Sequence, residues 1–134
     1  MGVLAANIQN GRADVNELVK QRQGISLDIG CGRHKIPGAN VVGMDFQALP
    51  GVDVVHNWNV RPWPFPDECA TFAHASHVIE HVNPADFGFI HWMNEVWRIL
   101  RPGAQFKLVY PNGSSPRYVQ DPTHCNPCNQ VTPW

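Results

Sequence analysis

The stretch LDIGCG, residues 27–32, is the strongest indication of the fold in this sequence. An apolar run that begins at Gly24 delivers Asp28 and then a Gly-x-Gly turn at Gly30 and Gly32. Because glycine has no side chain, the backbone N–H groups of such a turn can approach a ligand closely at the carboxyl edge of a sheet. The stretch therefore predicts a buried strand that ends in a ligand-binding turn.

Further apolar runs predict the rest of a sheet. Each is short, rich in Val, Ile, Phe or Ala and bounded by Gly, Pro, Asn or Asp, and they cover residues 40–46, 51–58, 70–76 and 104–112. Continuous apolarity is typical of parallel strands that are covered on both faces. The sequence thus predicts five strands in a parallel sheet.

Two helices are predicted around these strands. Residues 12–22 favour a short amphipathic helix, and residues 83–103 a longer one in which Phe87, Ile90, Trp97 and Leu100 recur at helical spacing. The first two strands are separated by only ten residues, 30–39. Since a full helical crossover needs about a dozen residues, a loop or a single helical turn is expected there.

Composition limits the class of protein. With a net charge of -1 and no run of Lys or Arg, the chain has no electrostatic footprint for nucleic acid, so none is expected as a partner. No apolar stretch approaches the roughly 20 residues that span a bilayer, and the amino terminus does not resemble a secretory signal. Four cysteines without a disulfide framework agree with a reducing compartment. A cytoplasmic location without membrane partners is predicted.

A second carboxylate accompanies the glycine turn. Asp45 lies 17 residues after Asp28, at the end of the second predicted strand. A carboxylate at this place can accept hydrogen bonds from both hydroxyls of a ribose. Together with Gly30 and Gly32, it predicts a pocket shaped for a nucleoside.

Between about Gly24 and His124 the chain contains six segments in order: LDIGCGRHKIPG, GMDF, DVVHNWNVRPWPFPDE, SHVIEH, NEVWRILRPG, and YPN followed by DPTH. Their order and spacing resemble class I S-adenosylmethionine-dependent methyltransferases, and more closely the compact type-11-like domains of bacteria and their phages. The resemblance implies an α/β fold, a Rossmann-like open sheet of mostly parallel strands in the order 3-2-1-4-5. The last two strands of the full seven-stranded fold are not found.

The missing strands leave three expectations open: a minimal version of the fold, a truncated chain, or a sheet edge that a partner or a second copy covers. The chain is interpreted as a single domain over residues 1–134. Residues 1–23 are expected to form a helical lead-in, residues 24–111 the cofactor-binding core and residues 112–134 a loop-rich segment on the substrate side.

The resemblance implies that S-adenosylmethionine is the cofactor. The residues implied to bind it are Asp28, Gly30, Cys31, Gly32, Asp45, Phe46, Asn57, Ala75 and Ser76. Asp45 would hold the ribose and Phe46 would pack on the adenine. Asn57 stands where the family usually has Asp, and its amide oxygen can still accept a hydrogen bond from the adenine amino group. In a second departure, Arg33 and Lys35 occupy the glycine loop and are expected to point outward or toward the cofactor carboxylate.

Catalysis would require a group that aligns or deprotonates the methyl acceptor. His77 and His124 are the candidates, with Tyr110 and Asp121 as positioning groups. A role for His77 as a buried, hydrogen-bonded residue is an equal alternative. The acceptor is predicted by exclusion to be a small molecule or a glycan. A methyltransferase-like binding or assembly module without turnover is the alternative function.

Two patterns suggest a metal, but the sequence favours none. His77-x-x-Glu80-His81 matches an inverted zinc-peptidase motif, yet Asn83-Pro84 ends any helix too early for it. Cys125-x-x-Cys128 beside His124 lacks a second pair of ligands, and two ordinary loop thiols are the preferred interpretation. The aromatic residues Trp58, Trp63 and Phe65 are expected to cover the core rather than a substrate entrance.

Overall fold

The computed structural model describes residues 15–21 and 24–133. Its sheet has five strands: β1 Ile25–Ile29, β2 Val41–Asp45, β3 Val54–Val55, β4 Ala70–Ser76 and β5 Leu100–Val109. They lie in the order β3-β2-β1-β4-β5, and every neighbouring pair is parallel. The predicted α/β, Rossmann-like open sheet in the order 3-2-1-4-5 is confirmed.

The described residues also form three α-helices, α1 Val15–Gln21, α2 Gly88–Ile99 and α3 Pro116–Val119, and two 3-10 turns, Ile79–His81 and Ala85–Phe87. No helix lies between β1 and β2, which agrees with the short connection in the sequence. The predicted lead-in helix is found as α1, although residues 1–14 and 22–23 lie outside the described part. None of the helices described has the length and apolar character needed to cross a membrane.

The core lies on both faces of the central strands. Every residue of β2 and every residue of β1 except Ser26 is buried, so both faces of these strands are covered. Leu27, Ile29, Val42 and Met44, which lie on one of these faces, are fully buried. This burial explains why these strands read as continuous apolar runs. Outside the strands, the core includes Trp58, Trp63 and Phe65, which confirms that these aromatic residues cover the core.

The bounds of α2 differ from those predicted. Asp86 and Phe87 adopt left-handed backbone conformations, with φ of 53° and 59°. The helix therefore begins only at Gly88, where any side chain would collide with the carbonyl oxygen of Asn83. It ends at Ile99, because β5 starts directly at Leu100. Pro102 and Gly103, which lie within the helix predicted over residues 83–103, belong to β5.

The apolar residues whose spacing indicated this helix do not form its buried face. Phe87 and Ile90 are exposed, and Trp97 is 83% exposed. The helix instead buries Trp92, Val96 and Ile99, which also share helical spacing, and with them Glu95. Because the charged residue Glu95 lies in the middle of the buried face of α2, the spacing of apolar residues in the sequence did not indicate that face.

Glu95 is buried because it belongs to an ion pair. Its Oε2 accepts hydrogen bonds from Trp63 N at 2.6 Å and from Arg98 Nη2 at 2.8 Å. Arg98 in turn donates to the carbonyl oxygens of Trp63 and Phe65 at 3.2 and 2.7 Å. Burial alone would raise the pKa of Glu95, but the hydrogen bonds from Arg98 and Trp63 outweigh it and hold that pKa below its ordinary 4.5. The ion pair of Glu95 and Arg98 therefore binds the loop after β3, at Trp63 and Phe65, to α2.

We predict that Glu95→Gln destabilises the protein by about 1–3 kcal/mol at neutral pH, since it weakens hydrogen bonds made to a charged group. A carboxylate whose pKa is lowered by folding stabilises the fold above its unfolded pKa, and that contribution is lost as the pH falls through the folded pKa. The wild type should therefore lose more stability than Glu95→Gln between neutral pH and pH values below 4.5. Urea unfolding across this range is the measurement.

Glu17→Gln is the control for that experiment, because Glu17 is an exposed carboxylate paired with Lys20 on α1. It should change stability by less than about 0.5 kcal/mol. Parallel stability curves for the wild type and Glu95→Gln in acid would contradict the assigned role of Glu95.

Candidate functional site at the carboxyl edge of the sheet

The order of the strands reverses between β1 and β4, since the chain moves from β1 outward to β2 and β3 and then returns to β4. In open parallel sheets, ligands bind at such a switch point, outside the carboxyl ends of the strands. Here the ends of β1 and β4 are joined by the pairing of Ile29 with Ala75. We call this place, with residues 30–32 and 76–77, the switch-point edge.

The glycine turn at this edge is closed on one side and open on the other. Gly30 and Gly32 have φ of 66° and 53°, in the left-handed region that favours glycine. A Cβ on Gly30 would collide with the side chain of Val78, whereas a Cβ on Gly32 would meet nothing within 4 Å. Gly30 is therefore needed for packing, and Gly32 leaves open space above the turn.

Asp45 ties the end of β2 to this turn. Its Oδ2 accepts a hydrogen bond from Gly32 N at 2.9 Å, and its Oδ1 accepts one from Gln47 N at 3.0 Å. Asp45 is only 5% exposed, but each carboxylate oxygen keeps a further lone pair. The structure thus brings together the three residues from which the nucleoside pocket was predicted.

An aromatic residue, Phe46, follows β2, and a polar residue, Asn57, follows β3 at the carboxyl edge of the sheet. Phe46 is 52% exposed and meets the ring of Trp58 edge-on, with centroids 5.2 Å apart. Asn57 is exposed, and its Oδ1 accepts a hydrogen bond from Asn59 N at 3.0 Å within a turn. One ring surface and one amide are therefore accessible beside Asp45.

Asp28 lies beneath the turn rather than on its open side. It is 3% exposed, its Oδ2 accepts a hydrogen bond from Ile36 N at 2.9 Å, and its Oδ1 lies 2.8 Å from His74 Nδ1. Both oxygens are thus engaged in holding the loop and β4. His74 was missed in the sequence, although it faces Asp28 in the register of β1 and β4. A polar residue in each of two adjacent apolar strands is the signal that could have revealed the pair.

Cys31 turns its side chain away from the open side. A Cβ on Gly43 would lie only 2.6 Å from Cys31 Sγ, so the thiol packs against β2. Burial, reinforced by the charges of Asp28 and Asp45, raises the pKa of Cys31 to about 12 and keeps the thiol protonated. Only the backbone of Cys31 is left to face a ligand at the turn.

The two cations of the glycine loop do not crowd the turn. Lys35 Nζ forms an ion pair with Asp53 Oδ2 at 2.7 Å, and Asp53 also accepts from Gly43 N. Lys35 is therefore directed toward β2 and the loop before β3. Arg33 is exposed.

The end of β4 presents a histidine. Ala75 is fully buried and Ser76 is half-buried, so only Ser76 of this pair offers a side chain. His77 has a left-handed backbone, φ 56°, and its N–H donates to Val109 O at 2.8 Å. Its imidazole is 63% exposed, with Nδ1 3.1 Å from Glu80 Oε1. The side chain thus projects from the sheet while one ring nitrogen is held.

The zinc-peptidase pattern is not formed on a helix. His77 precedes the 3-10 turn Ile79–His81, and that turn has only three residues. The two histidines therefore do not lie one turn apart on a continuous helix. The strand predicted over residues 70–76 is confirmed as β4, and the motif lies at its end and in the turn that follows.

Residues 121–126, the docked segment, pack against this turn. Cys125 N and Asn126 N both donate to Glu80 O, at 2.8 and 3.2 Å, and Asn126 Nδ2 donates to Ile79 O at 3.0 Å. These bonds place His124 beside His81, with ring centroids 4.8 Å apart. The imidazole of His124 is only 8% exposed.

The remaining candidates are tied to neighbouring groups. Tyr110 Oη donates to Asn129 O at 2.8 Å, and burial raises the pKa of Tyr110. Asp121 Oδ1 accepts from both N and Oγ1 of Thr123, and these hydrogen bonds lower the pKa of Asp121. Both side chains thus shape the segment that follows β5.

Cys125 and Cys128 do not form a metal site with other potential ligands of the described residues. Cys125 Sγ lies 3.4 Å from Val82 O, and Cys128 Sγ lies 3.6 Å from Asn126 O. Neither thiol belongs to the cluster of metal-ligating side chains found within the described residues. All four cysteines are free thiols.

Comparison of the chain with models of known protein families, with characterised proteins and with solved structures gives no match. The geometry of the switch-point edge is therefore the basis on which a function can be proposed for the chain.

We predict that Gly30→Ala is more destabilising than Gly32→Ala. Both substitutions place a Cβ on a left-handed backbone, which lowers the free energy of unfolding by about 1–2 kcal/mol. Only Gly30→Ala also collides with Val78, which adds about 1–3 kcal/mol of overpacking. Urea unfolding of the two variants measures the difference.

The double variant Gly30→Ala with Val78→Ala supplies the control. Removing the Val78 methyl groups should make the double variant more stable than the sum of the two single effects predicts. Strict additivity would show that Val78 does not explain the requirement for glycine.

Proposed function

We propose that the chain is an S-adenosylmethionine-dependent methyltransferase whose cofactor binds at the switch-point edge. The observation that carries this proposal is the 2.9 Å hydrogen bond from Gly32 N to Asp45 Oδ2. It joins a bare backbone turn to a carboxylate at the ends of adjacent parallel strands, which is the arrangement that recognises a nucleoside. The open space above Gly32 and the exposed ring of Phe46 support the fit of an adenosyl group.

Each residue of the edge has a role in this proposal. Asp45 would accept the ribose hydroxyls through its remaining lone pairs, Phe46 would pack on the adenine, and Asn57 would accept from the adenine amino group. The turn 30–32 and Ser76 would border the methionine part. Asp28 acts indirectly by fixing the loop through Ile36 N.

When bound, the cofactor would supply a methyl group activated by a positively charged sulfur: the acceptor would bond to the methyl carbon in line as the carbon–sulfur bond breaks, and the neutral demethylated thioether would leave. The protein then mainly has to align the acceptor at near-attack distance. His77 is favoured over His124 as the proton acceptor because its imidazole is far more exposed, 63% against 8%. Glu80 holds His77 Nδ1, so that Nε2 would take the proton of the acceptor.

The acceptor is proposed to be a small molecule or a glycan, because the chain has no run of Lys or Arg that would bind nucleic acid. The site of action is proposed to be the cytoplasm. The four free thiols agree with a reducing compartment.

A second candidate is a methyltransferase-like binding or assembly module without turnover. It is favoured by one observation: among the described strands, β5 pairs only with β4, so its other side is an open edge. Such an edge pairs readily with another chain. A second copy or a partner protein would then cover β5.

Isothermal titration of the full chain with S-adenosylmethionine and with its demethylated product tests the primary proposal. We expect saturable binding of both compounds. Asp45→Ala should weaken it at least about tenfold, because it removes hydrogen bonds to a charged group. Gly32→Ala should also weaken binding while the protein stays folded, since its Cβ enters the open space above the turn.

Asp67→Ala is the matched control, because Asp67 is an exposed carboxylate that precedes β4 at the opposite edge of the sheet. It should leave the affinity unchanged. A folded wild-type protein that binds neither compound would refute the methyltransferase proposal and leave the binding module.

The class of acceptor and the role of His77 can be tested with a methyl-labelled cofactor. Label should pass into a small-molecule or glycan fraction of a cell extract. His77→Ala should slow that transfer by about 10²–10⁴-fold without changing cofactor affinity, as expected for loss of a general base. Label that enters only nucleic acid or protein would contradict the proposed acceptor, and full activity of His77→Ala would contradict its role.

A further inference from the structure

A cluster of three potential metal ligands lies where the docked segment meets the turn after β4. Glu80, His81 and His124 each offer one ligand atom, and these atoms all lie within 4.8 Å of one another. We propose that they bind a divalent transition metal ion, with Zn²⁺ as the best match. This set differs from the His77-x-x-Glu80-His81 pattern, because it exchanges His77 for His124. The inference does not depend on the proposed methyl transfer.

The carboxylate of Glu80 gives independent support for a ligand. Glu80 is only 1% exposed, and its Oε1 is engaged by His77 Nδ1 at 3.1 Å. Its Oε2 is buried and has no hydrogen-bond partner among the described residues. A buried carboxylate oxygen is unfavourable without a donor or a cation. A metal ion within the cluster would satisfy it.

The imidazole of His124 is oriented as a metal ligand. Its Nδ1 lies 2.8 Å from Tyr118 O, and because a carbonyl oxygen only accepts, Nδ1 carries the proton. Nε2 is then left with a free lone pair. A backbone carbonyl that fixes the tautomer in this way is the usual outer partner of a metal-bound histidine.

His81 is oriented by a relay of hydrogen bonds. Thr123 Oγ1 donates its hydrogen to Asp121 Oδ1 at 2.6 Å, so it can only accept from His81 Nδ1, which lies 3.3 Å away. Nδ1 of His81 therefore carries the proton, and Nε2 is free. Both histidines thus offer the same nitrogen, and each is held by an outer partner.

One carboxylate oxygen and two imidazole nitrogens form a donor set suited to Zn²⁺, with three protein ligands and one open position. Bonds of about 2.0–2.2 Å in tetrahedral geometry put ligand atoms about 3.3 Å apart, so small side-chain rotations would close the cluster. Asp121 Oδ2, which lies 3.6 Å from His124 Nε2, would give additional negative charge. The open position would hold water or an oxygen of a bound molecule.

The ion would also bind together two parts of the chain that are distant in sequence. The docked segment already meets the turn through the bonds of Cys125 and Asn126 to Glu80 O. Coordination by His124 from one side and by Glu80 and His81 from the other would lock this contact. Metal binding should therefore stabilise the fold as well as fill the site.

Titration of the metal-free full chain with Co²⁺, followed by displacement with Zn²⁺, tests the proposal. We expect one equivalent of Co²⁺ to bind, with visible bands of nitrogen and oxygen coordination and no thiolate charge-transfer band. Glu80→Gln, His81→Ala and His124→Ala should each abolish or strongly weaken binding. Thr123→Val, which removes only the outer partner of His81, should weaken it about 10–100-fold.

Cys125→Ser and Cys128→Ser are the matched controls and should bind Co²⁺ as the wild type does. Near-UV circular dichroism shows whether each variant is folded. If a ligand variant does not fold, the Co²⁺ spectrum of the wild type and the Thr123→Val affinity decide instead.

Three results would overturn the proposal. They are a folded wild type that binds no Co²⁺ or Zn²⁺, a thiolate band that disappears in the cysteine variants, and wild-type Co²⁺ affinity in a folded His124→Ala variant. Since cofactor titration of the metal-free chain is a separate measurement, failure of the metal site and failure of the methyltransferase proposal are distinguishable.

Discussion

Only eleven residues, 30–40, connect β1 to β2, and this short connection shapes both the sheet and the candidate site. Parallel strands are usually joined by a helix, and eleven residues are too few for one. Carboxylates hold the loop instead: Asp28 accepts from Ile36, Asp45 accepts from Gly32, and Asp53 pairs with Lys35. The same bonds that replace a helix give the turn its shape, so the fold and the candidate site share one set of contacts.

The sheet could be predicted from sequence because its signals are local. Apolar runs ending in glycine or Asp marked the strands, and LDIGCG marked the turn. The buried face of α2 could not be predicted, since Glu95 is buried only through Arg98 and the loop at Trp63. For the same reason, the contact of Glu80 with the segment at His124 was missed: it joins residues 44 positions apart, and no local pattern encodes it.

Glu80 links the two parts of the candidate site. One of its oxygens faces His77, which projects from the end of β4, the other has no hydrogen-bond partner among the described residues, and the carboxylate forms a cluster with His81 and His124. A single buried carboxylate thus orients an exposed imidazole and remains available as a ligand in the proposed metal site. This double role would account for a charged residue in a turn that also buries Ile79.

The backbone of His77 has a further consequence. A residue with a side chain in the left-handed region is less favourable than glycine by roughly 1–2 kcal/mol, although His tolerates it better than most. Keeping an imidazole at this place therefore lowers the conformational stability of the chain. Glycine at this position would relax the backbone and raise the unfolding temperature, so the chain carries an imidazole here at the expense of thermal endurance.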